Sequence, residues 1–440
     1  MYIIIENGGG FMQRFLMNEL VKWKEKSNRK PLILKGARQV GKTWLLKEFG
    51  RTHFKKTAYV SFYNNQRMKN VFEEDFDIER IIMNINIETH IEVTPEDTLI
   101  IFDEIQEAPR ALESLKYFCE NASEYAVVAA GSLLGVALHA GISYPVGKVD
   151  IMDLYPMNFR EFLVAMGENT LAELIEKQNY QYISDACEKY IFWLKNYYYV
   201  GGMPEIVDFF SKHKDYVEVR NMQNAIITQY EGDFGKHTPS YELPRIRMVW
   251  NSIPMQLAKE NKKFFFGKIK EGARAKEFEL AIEWLLDCGL IHKVYKVSKP
   301  AMPLKAYIDF SSFKLYLLDI GLLGALSELD VESILEGNRI FVEFKGALTE
   351  QYVLQQMISD TAYKPYYFAG EKSTYEVDFL IQKGKAVIPV EVKAEENLKA
   401  QSLRVYHEKF QPEYAIRTSM SNYKEQDWLI NLPLYAITNL

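Results

Sequence analysis

The run Gly36, Ala37, Arg38, Gln39, Val40, Gly41, Lys42, Thr43 has the glycine spacing and the closing lysine and hydroxyl of a phosphate-binding loop. Glycines at these points let successive backbone N–H groups curl around a polyphosphate, and a helix N-terminus behind them adds its positive end. Every residue of the run is therefore a candidate nucleotide contact. Lys42 is of the type and position to reach the outer phosphates, and Thr43 to place its hydroxyl on magnesium. A second constellation lies downstream, where the apolar run Leu99–Phe102 ends in Asp103 and Glu104. A buried strand with two carboxylates at its end suits Asp103 to the magnesium shell and Glu104 to orienting or deprotonating a water. A third apolar run, Tyr125–Ser132, ends in a hydroxyl. Ser132 reads either as a sensor of the terminal phosphate or as an ordinary helix cap.

The far end of the chain holds another carboxylate pattern: Glu350 on a helix, Asp378 in "YEVDFLI", and Glu391 with Lys393 in "AVIPVEVKAE". Residues two apart on a strand share a face, so Glu391 and Lys393 project together. Glu350, Asp378 and Glu391 could ligate Mg2+ or Mn2+ for phosphodiester cleavage, with Lys393 orienting the water or stabilising developing charge. Polar faces of half-buried strands produce the same residue types without any metal. Charges inside such apolar runs cost solvation unless they line a cleft or are coordinated.

These residues need elements to hold them. "PLILK" before the glycines and "WLLKEF" after them predict strand, loop and helix, and the three apolar runs together predict a parallel α/β sheet. No Asn-Lys-x-Asp element for guanine occurs, which favours ATP over GTP. A small-molecule kinase would share the loop but seldom carries so much additional chain. At 440 residues the chain exceeds one ordinary core, so two or three domains are expected. The middle is mostly helical, and its aromatic segment "YIFWLKNYYYV" reads as a helical core, with a nucleic-acid stacking platform as the other reading. From Arg245 to Val297 the order helix, short helix, helix, alternating strand is that of a winged helix. Its basic residues Lys262, Lys263, Lys268, Lys270, Arg274 and Lys276 suit DNA, while packing against a domain or protein partner would use the same helices.

Bulk properties bound the rest. A net charge of −6 argues against coating nucleic acid non-specifically, though it permits a local basic groove. Cys119, Cys187 and Cys288 form no metal or redox spacing, as expected of a cytoplasmic protein. The apolar stretch beginning at Tyr125 is interrupted by Gly131, Ser132 and Gly135 and is too short for a bilayer, so no membrane segment is expected. "MYIIIENGGGF" lacks a basic n-region and a cleavage site, and its glycine run suggests a natural start at Met12.

The whole chain after Met12 resembles the prokaryotic ATPases of the AAA superfamily that carry a C-terminal DUF4143 region. The resemblance rests on "LKGARQVGKTWLL", "IIFDEIQ", "AAGSLLG", "YPMNFREFL", "YYVGGMPE", "FKLYLLDIGLL", "LTEQYV" and "EVDFLI…VEVKAE". It implies a P-loop ATPase core over residues 12–160, a helical region over 161–240, a winged-helix-like region over 241–335, and a domain similar to the PD-(D/E)xK nuclease fold over 336–440. On the family pattern Lys42 and Thr43 fall on the phosphate loop and Asp103 and Glu104 on the Walker B pair. Ser132 falls on the sensor position, and Asp378, Glu391 and Lys393 on the nuclease-like motif. Arg160, Arg245, Arg247 and Arg274 are all candidates for an arginine finger. The expected function is ATP hydrolysis coupled to a DNA-directed C-terminal module. The alternative is a nucleotide-regulated binding or signalling scaffold, acting as a homo-oligomer or on a protein partner, with an inactive nuclease-like domain.

Overall fold

The computed structural model describes residues 13–132, 145–236, 238–239, 241–259, 262–332, 342–370, 375–394 and 401–440. Met12, and the part of "AAGSLLG" after Ser132, lie outside the described residues. Two compact units result: Arg14–Tyr155 with Glu283–Leu290, and Pro156–Ile282 with Ile291–Leu440.

The first unit is built on five parallel strands: β1 (Leu32–Lys35), β2 (Lys56–Ser61), β3 (Thr98–Asp103), β4 (Ala126–Gly131) and β5 (Asp150–Asp153). Their order is β2-β3-β4-β1-β5, so both β3, which ends in Asp103, and β4, which leads into Ser132, lie on one side of the strand that feeds the glycine loop. Strands β3 and β4 are buried along their whole length, as expected for the centre of a sheet covered on both faces. Helices Gln66–Glu74, Ile78–Thr89 and Pro109–Asn121 supply one covering layer. Phe62, Phe72, Phe102 and Phe118 interlock there with the strand residues. The Asn65 and Asp77 side chains accept the N–H of Met68 and Arg80 respectively, fixing where two of those helices begin.

The second unit begins with a helical array. In helix Cys187–Val200, Tyr190, Tyr197, Tyr198 and Tyr199 are all buried, with Tyr190 stacked on Tyr435 at 4.7 Å. These rings pack a core, and they are not a platform for bases. Helix Leu243–Leu257, a short 3-10 turn at Phe266–Lys268 and helix Ala275–Asp287 then precede the antiparallel pair β6 (Ile291–Val297) and β7 (Ile308–Leu317). This pair does not stand apart. Strand β6 also pairs in parallel with β8 (Tyr366–Ala369), so the hairpin forms one edge of an eight-stranded mixed sheet. The remaining strands are β9 (Glu376–Lys383), β10 (Ala386–Val392), β11 (Ala415–Ser419), β12 (Lys424–Gln426) and β13 (Leu429–Pro433), in the order β12-β13-β11-β10-β9-β8-β6-β7.

Several motifs of the resemblance meet in one buried polar node. Asp319, fully buried, accepts the Gly202 N–H at 2.6 Å and the Gln355 amide at 3.0 Å, while its other oxygen caps helix Ile320–Leu326 through the Leu322 N–H at 3.0 Å. Gln356 accepts the Phe159 N–H at 2.7 Å, and the Tyr197 hydroxyl donates to the Met157 carbonyl at 2.5 Å. A Cβ on Gly202 would lie 2.1 Å from that same Met157 oxygen, so only glycine fits. "YPMNF", "YYVGGMPE", "LLDIGLL" and the helix Val342–Asp360 thus hold one another together through satisfied buried hydrogen bonds.

Candidate functional site: a nucleotide cradle and a closed carboxylate cluster

In the first unit the glycine loop connects β1 to helix Lys42–His53. Positive φ values at Gln39 (65°) and Gly41 (91°) curl the loop back on itself, the backbone geometry of an anion nest. Gly36 is required for a different reason: a Cβ there would lie 2.3 Å from the Leu154 carbonyl oxygen. Lys42 is buried and donates to the Gly36 and Ala37 carbonyls at 2.9 and 2.7 Å. Burial, opposed by Glu104 and Asp103, lowers its pKa to about 8. The ammonium is thus parked on weak backbone acceptors, with no carboxylate bound directly.

The end of β3 supplies the acidic partners. Thr43 Oγ1 donates to Asp103 Oδ2 at 2.8 Å, and the Tyr59 hydroxyl donates to the same oxygen at 2.8 Å. Asp103 Oδ1 accepts the Glu104 N–H at 3.0 Å. Glu104 itself sits in the left-handed region (φ 51°, ψ 45°), which turns the chain sharply off the strand, and the Gln106 amide donates to its carboxylate. Ser132, at the end of β4, accepts from Arg38 Nε at 3.2 Å. Lys42, Thr43, Asp103, Glu104, Arg38 and Ser132 therefore converge at one edge of the sheet. The Thr43–Asp103 contact fits a magnesium-binding pair, a hydroxyl and a carboxylate already at ligand-sharing distance.

Two contributors carried no sequence signal of their own. Arg14 donates to the Val40 carbonyl at 2.7 Å and the Tyr155 carbonyl at 2.6 Å, pinning the loop from beneath. Tyr59 reaches Asp103 because β2 pairs with β3, and only the alternation within "KTAYVS" could have hinted at it.

In the second unit, Glu350 and Asp378 come together, although lysines come with them. The Lys262 ammonium pairs with Glu350 Oε1, Lys314 lies 3.5 Å from Oε2, and the Tyr316 hydroxyl donates to Oε2 at 3.1 Å. Lys262, which the sequence groups with residues suited to DNA, is thereby spent on an internal carboxylate. Burial favours a neutral Glu350, but Lys262 and Lys314 outweigh it and hold the carboxyl below its usual range. Burial and then Glu350 push Asp378 well above the carboxylate range, so the pair shares a proton. Asp378 Oδ2 also accepts the Val392 N–H at 2.8 Å. Glu391 is ion-paired to Lys393 at 2.7 Å. Among the described residues no three or more His, Cys, Asp or Glu side chains gather so as to hold a metal ion. In the present arrangement both Glu350 oxygens are engaged by the chain, while Glu391 Oε2 is buried without a hydrogen-bond partner.

Of the arginine-finger candidates, Arg160 is engaged with Asp360 at 3.3 Å and Glu176 at 3.2 Å, and Arg245 with Glu242 at 2.5 Å. Arg247 and Arg274 are exposed. The three cysteines carry no disulfide. Among the described residues no helix is long and apolar enough to cross a membrane.

Three family models match the sequence. The family model of an AAA domain matches residues 28–163, a domain of unknown function, DUF8612, matches 191–333, and another, DUF4143, matches 345–436. No curated protein matches the sequence. Similar solved structures include a Walker-type ATPase of Pyrococcus abyssi, 13% identical over 72% of this chain and 96% of that one, with a TM-score of 0.47. The RuvB Holliday junction branch migration motor of Thermotoga maritima is 14% identical over 68% of this chain and 94% of that one, with a TM-score of 0.28. At these values the likenesses carry no assignment of substrate or partner.

Proposed function

Because the chain belongs to the P-loop ATPases of the AAA class and carries a C-terminal DUF4143 region, we propose that it is a magnesium-dependent ATPase whose nucleotide state governs a DNA-directed module in its second unit. ATP binding and hydrolysis follow from the family. The observation that carries the site assignment is the Thr43–Asp103 contact of 2.8 Å beside a buried Lys42.

ATP would displace the loop carbonyls as Lys42's acceptors and put phosphate oxygens in their place. The gain is large because the ammonium is already desolvated. Thr43 and Asp103 would hold magnesium, which supplies charge neutralisation between the outer phosphates. Glu104 accepts the proton of the attacking water as the new P–O bond forms and the bond to ADP breaks. Arg38 and Ser132 stand at the edge where the terminal phosphate would lie. The proposed coupling is supported by chain continuity: the segment Glu283–Leu290 belongs to the ATPase unit, and the chain continues from it into β6. A Cβ on Gly289 would come within 3.3 Å of the Ala37 nitrogen, so this segment bears on the phosphate loop itself.

Phosphate release from ATP by the purified chain, with and without magnesium, tests the hydrolysis. DNA binding measured with ATP, with ADP and without nucleotide tests the coupling, and identical affinity in all three states would reject it. A second reading, in which the C-terminal region is a binding platform without nuclease activity, is favoured by the lysines seated on Glu350. Metal-dependent nicking that disappears on Asp378→Asn would reject that reading.

A further inference from the structure

Two of the carboxylates that the sequence pattern offers to a divalent cation, Glu350 and Glu391, already have cations from the chain itself. Glu350, 4% exposed, lies between Lys262 and Lys314. Lys314 has no exposed surface and reaches on to Glu376 at 2.5 Å, with its ammonium 4.9 Å from the centre of the Tyr367 ring. Glu391, 3% exposed, pairs with Lys393, and the register of β10 with β11 sets Arg417 directly opposite it. Lys262, Lys314, Lys393 and Arg417 thus lie among Glu350, Glu376 and Glu391, while Asp378 shares a proton with Glu350.

We infer that the Lys314 ammonium, with Lys262 beside it, occupies the place that the sequence pattern gives to a divalent cation, and that the C-terminal domain keeps this centre closed without a metal. An ammonium supplies one positive charge and three donors, enough to bridge Glu350 and Glu376. A dication added to this cluster would sit against Lys314 in a medium that screens poorly, with no unpaired carboxylate charge to balance it. Removing Lys314 instead frees carboxylate oxygens on two elements, helix Val342–Asp360 and β9, which is the donor chemistry a hard cation requires. This deepens the platform reading of the second unit and does not depend on whether the first unit hydrolyses ATP.

Ferrous iron can replace magnesium and, with ascorbate and peroxide, cuts the backbone next to wherever it binds. The full chain with ADP should be cut near Thr43 and Asp103 and left intact near Glu350, Asp378 and Glu391. Cuts at those three positions in the unaltered chain would overturn the inference, and this arm requires no variant to fold. In Lys314→Gln, new cuts near Glu350 and Asp378 are expected. A folded Lys314→Gln chain, verified by circular dichroism and retained ADP-dependent cutting, that gains none would also overturn it. Missing cuts near Thr43 and Asp103 would count against the nucleotide site alone.

Discussion

The two units each bury a lysine, and the two lysines are held in opposite ways. Lys42 rests on backbone carbonyls, its charge disfavoured by burial and its pKa brought down to about 8. Lys314 is fully buried too, but Glu350, Tyr316 and Glu376 overcome the burial and raise its pKa well above the ordinary lysine value. A desolvated ammonium without a carboxylate bound to it gains strongly from an arriving polyanion, whereas one already neutralised gains nothing. The difference separates a site kept ready for a ligand from one that the chain has filled itself.

The largest effect expected from this contrast is on turnover. Lys42→Ala should lower ATP hydrolysis by roughly a hundredfold or more, since it removes the cation that balances the transferred phosphoryl group; phosphate release near the unaltered rate would remove Lys42 from its role. The same comparison predicts opposite stability effects. Lys314→Met leaves Glu350 and Glu376 without their shared partner and should destabilise the second unit by about 3–5 kcal/mol. Lys42→Met should leave the nucleotide-free protein as stable or more so below pH 8. Its folded-state pKa lies below the unfolded value, so the cost of burying the charge is complete below about 8 and fades as pH rises towards 10.5. Denaturant unfolding of both variants reads the contrast, and equal losses would erase it.

A smaller effect separates the two readings of Ser132. If its hydroxyl meets the terminal phosphate through the Arg38 contact, Ser132→Ala should slow single-turnover hydrolysis by about tenfold while ATP affinity holds. If it only caps a turn, turnover will not change. The smallest expected signal is a fraction of a proton. Phosphate oxygens favour charged Lys42, so ATP binding should take up protons increasingly as pH rises above 8, with affinity falling by at most about tenfold per unit. Calorimetry in buffers of different ionisation enthalpy measures the uptake, and none at alkaline pH would show that Lys42 is already fully charged in the free protein.

Much of the proposed nucleotide site was legible because it is local. The glycines, Lys42 and Thr43 follow one another, and Asp103 and Glu104 end an apolar run whose composition already demands a central strand. The aromatic helix was legible as core for the same reason, its rings recurring at helical spacing. The winged-helix pattern was a partial reading. The helices and hairpin form as expected, but whether a hairpin stands free or extends a sheet depends on β8, far along the chain.

Local order of residues therefore determined the phosphate loop, the acidic strand end and the alternation of apolar runs, because backbone conformation and burial periodicity are encoded over a few neighbouring residues. Only the tertiary structure decided what each charge faces. Tyr59 on Asp103, Arg14 beneath the loop, Asp319 accepting the Gly202 N–H and Lys314 between Glu350 and Glu376 are all meetings of distant segments. A carboxylate's chemistry is set by the partner and the burial it acquires, and a motif read along the chain contains neither.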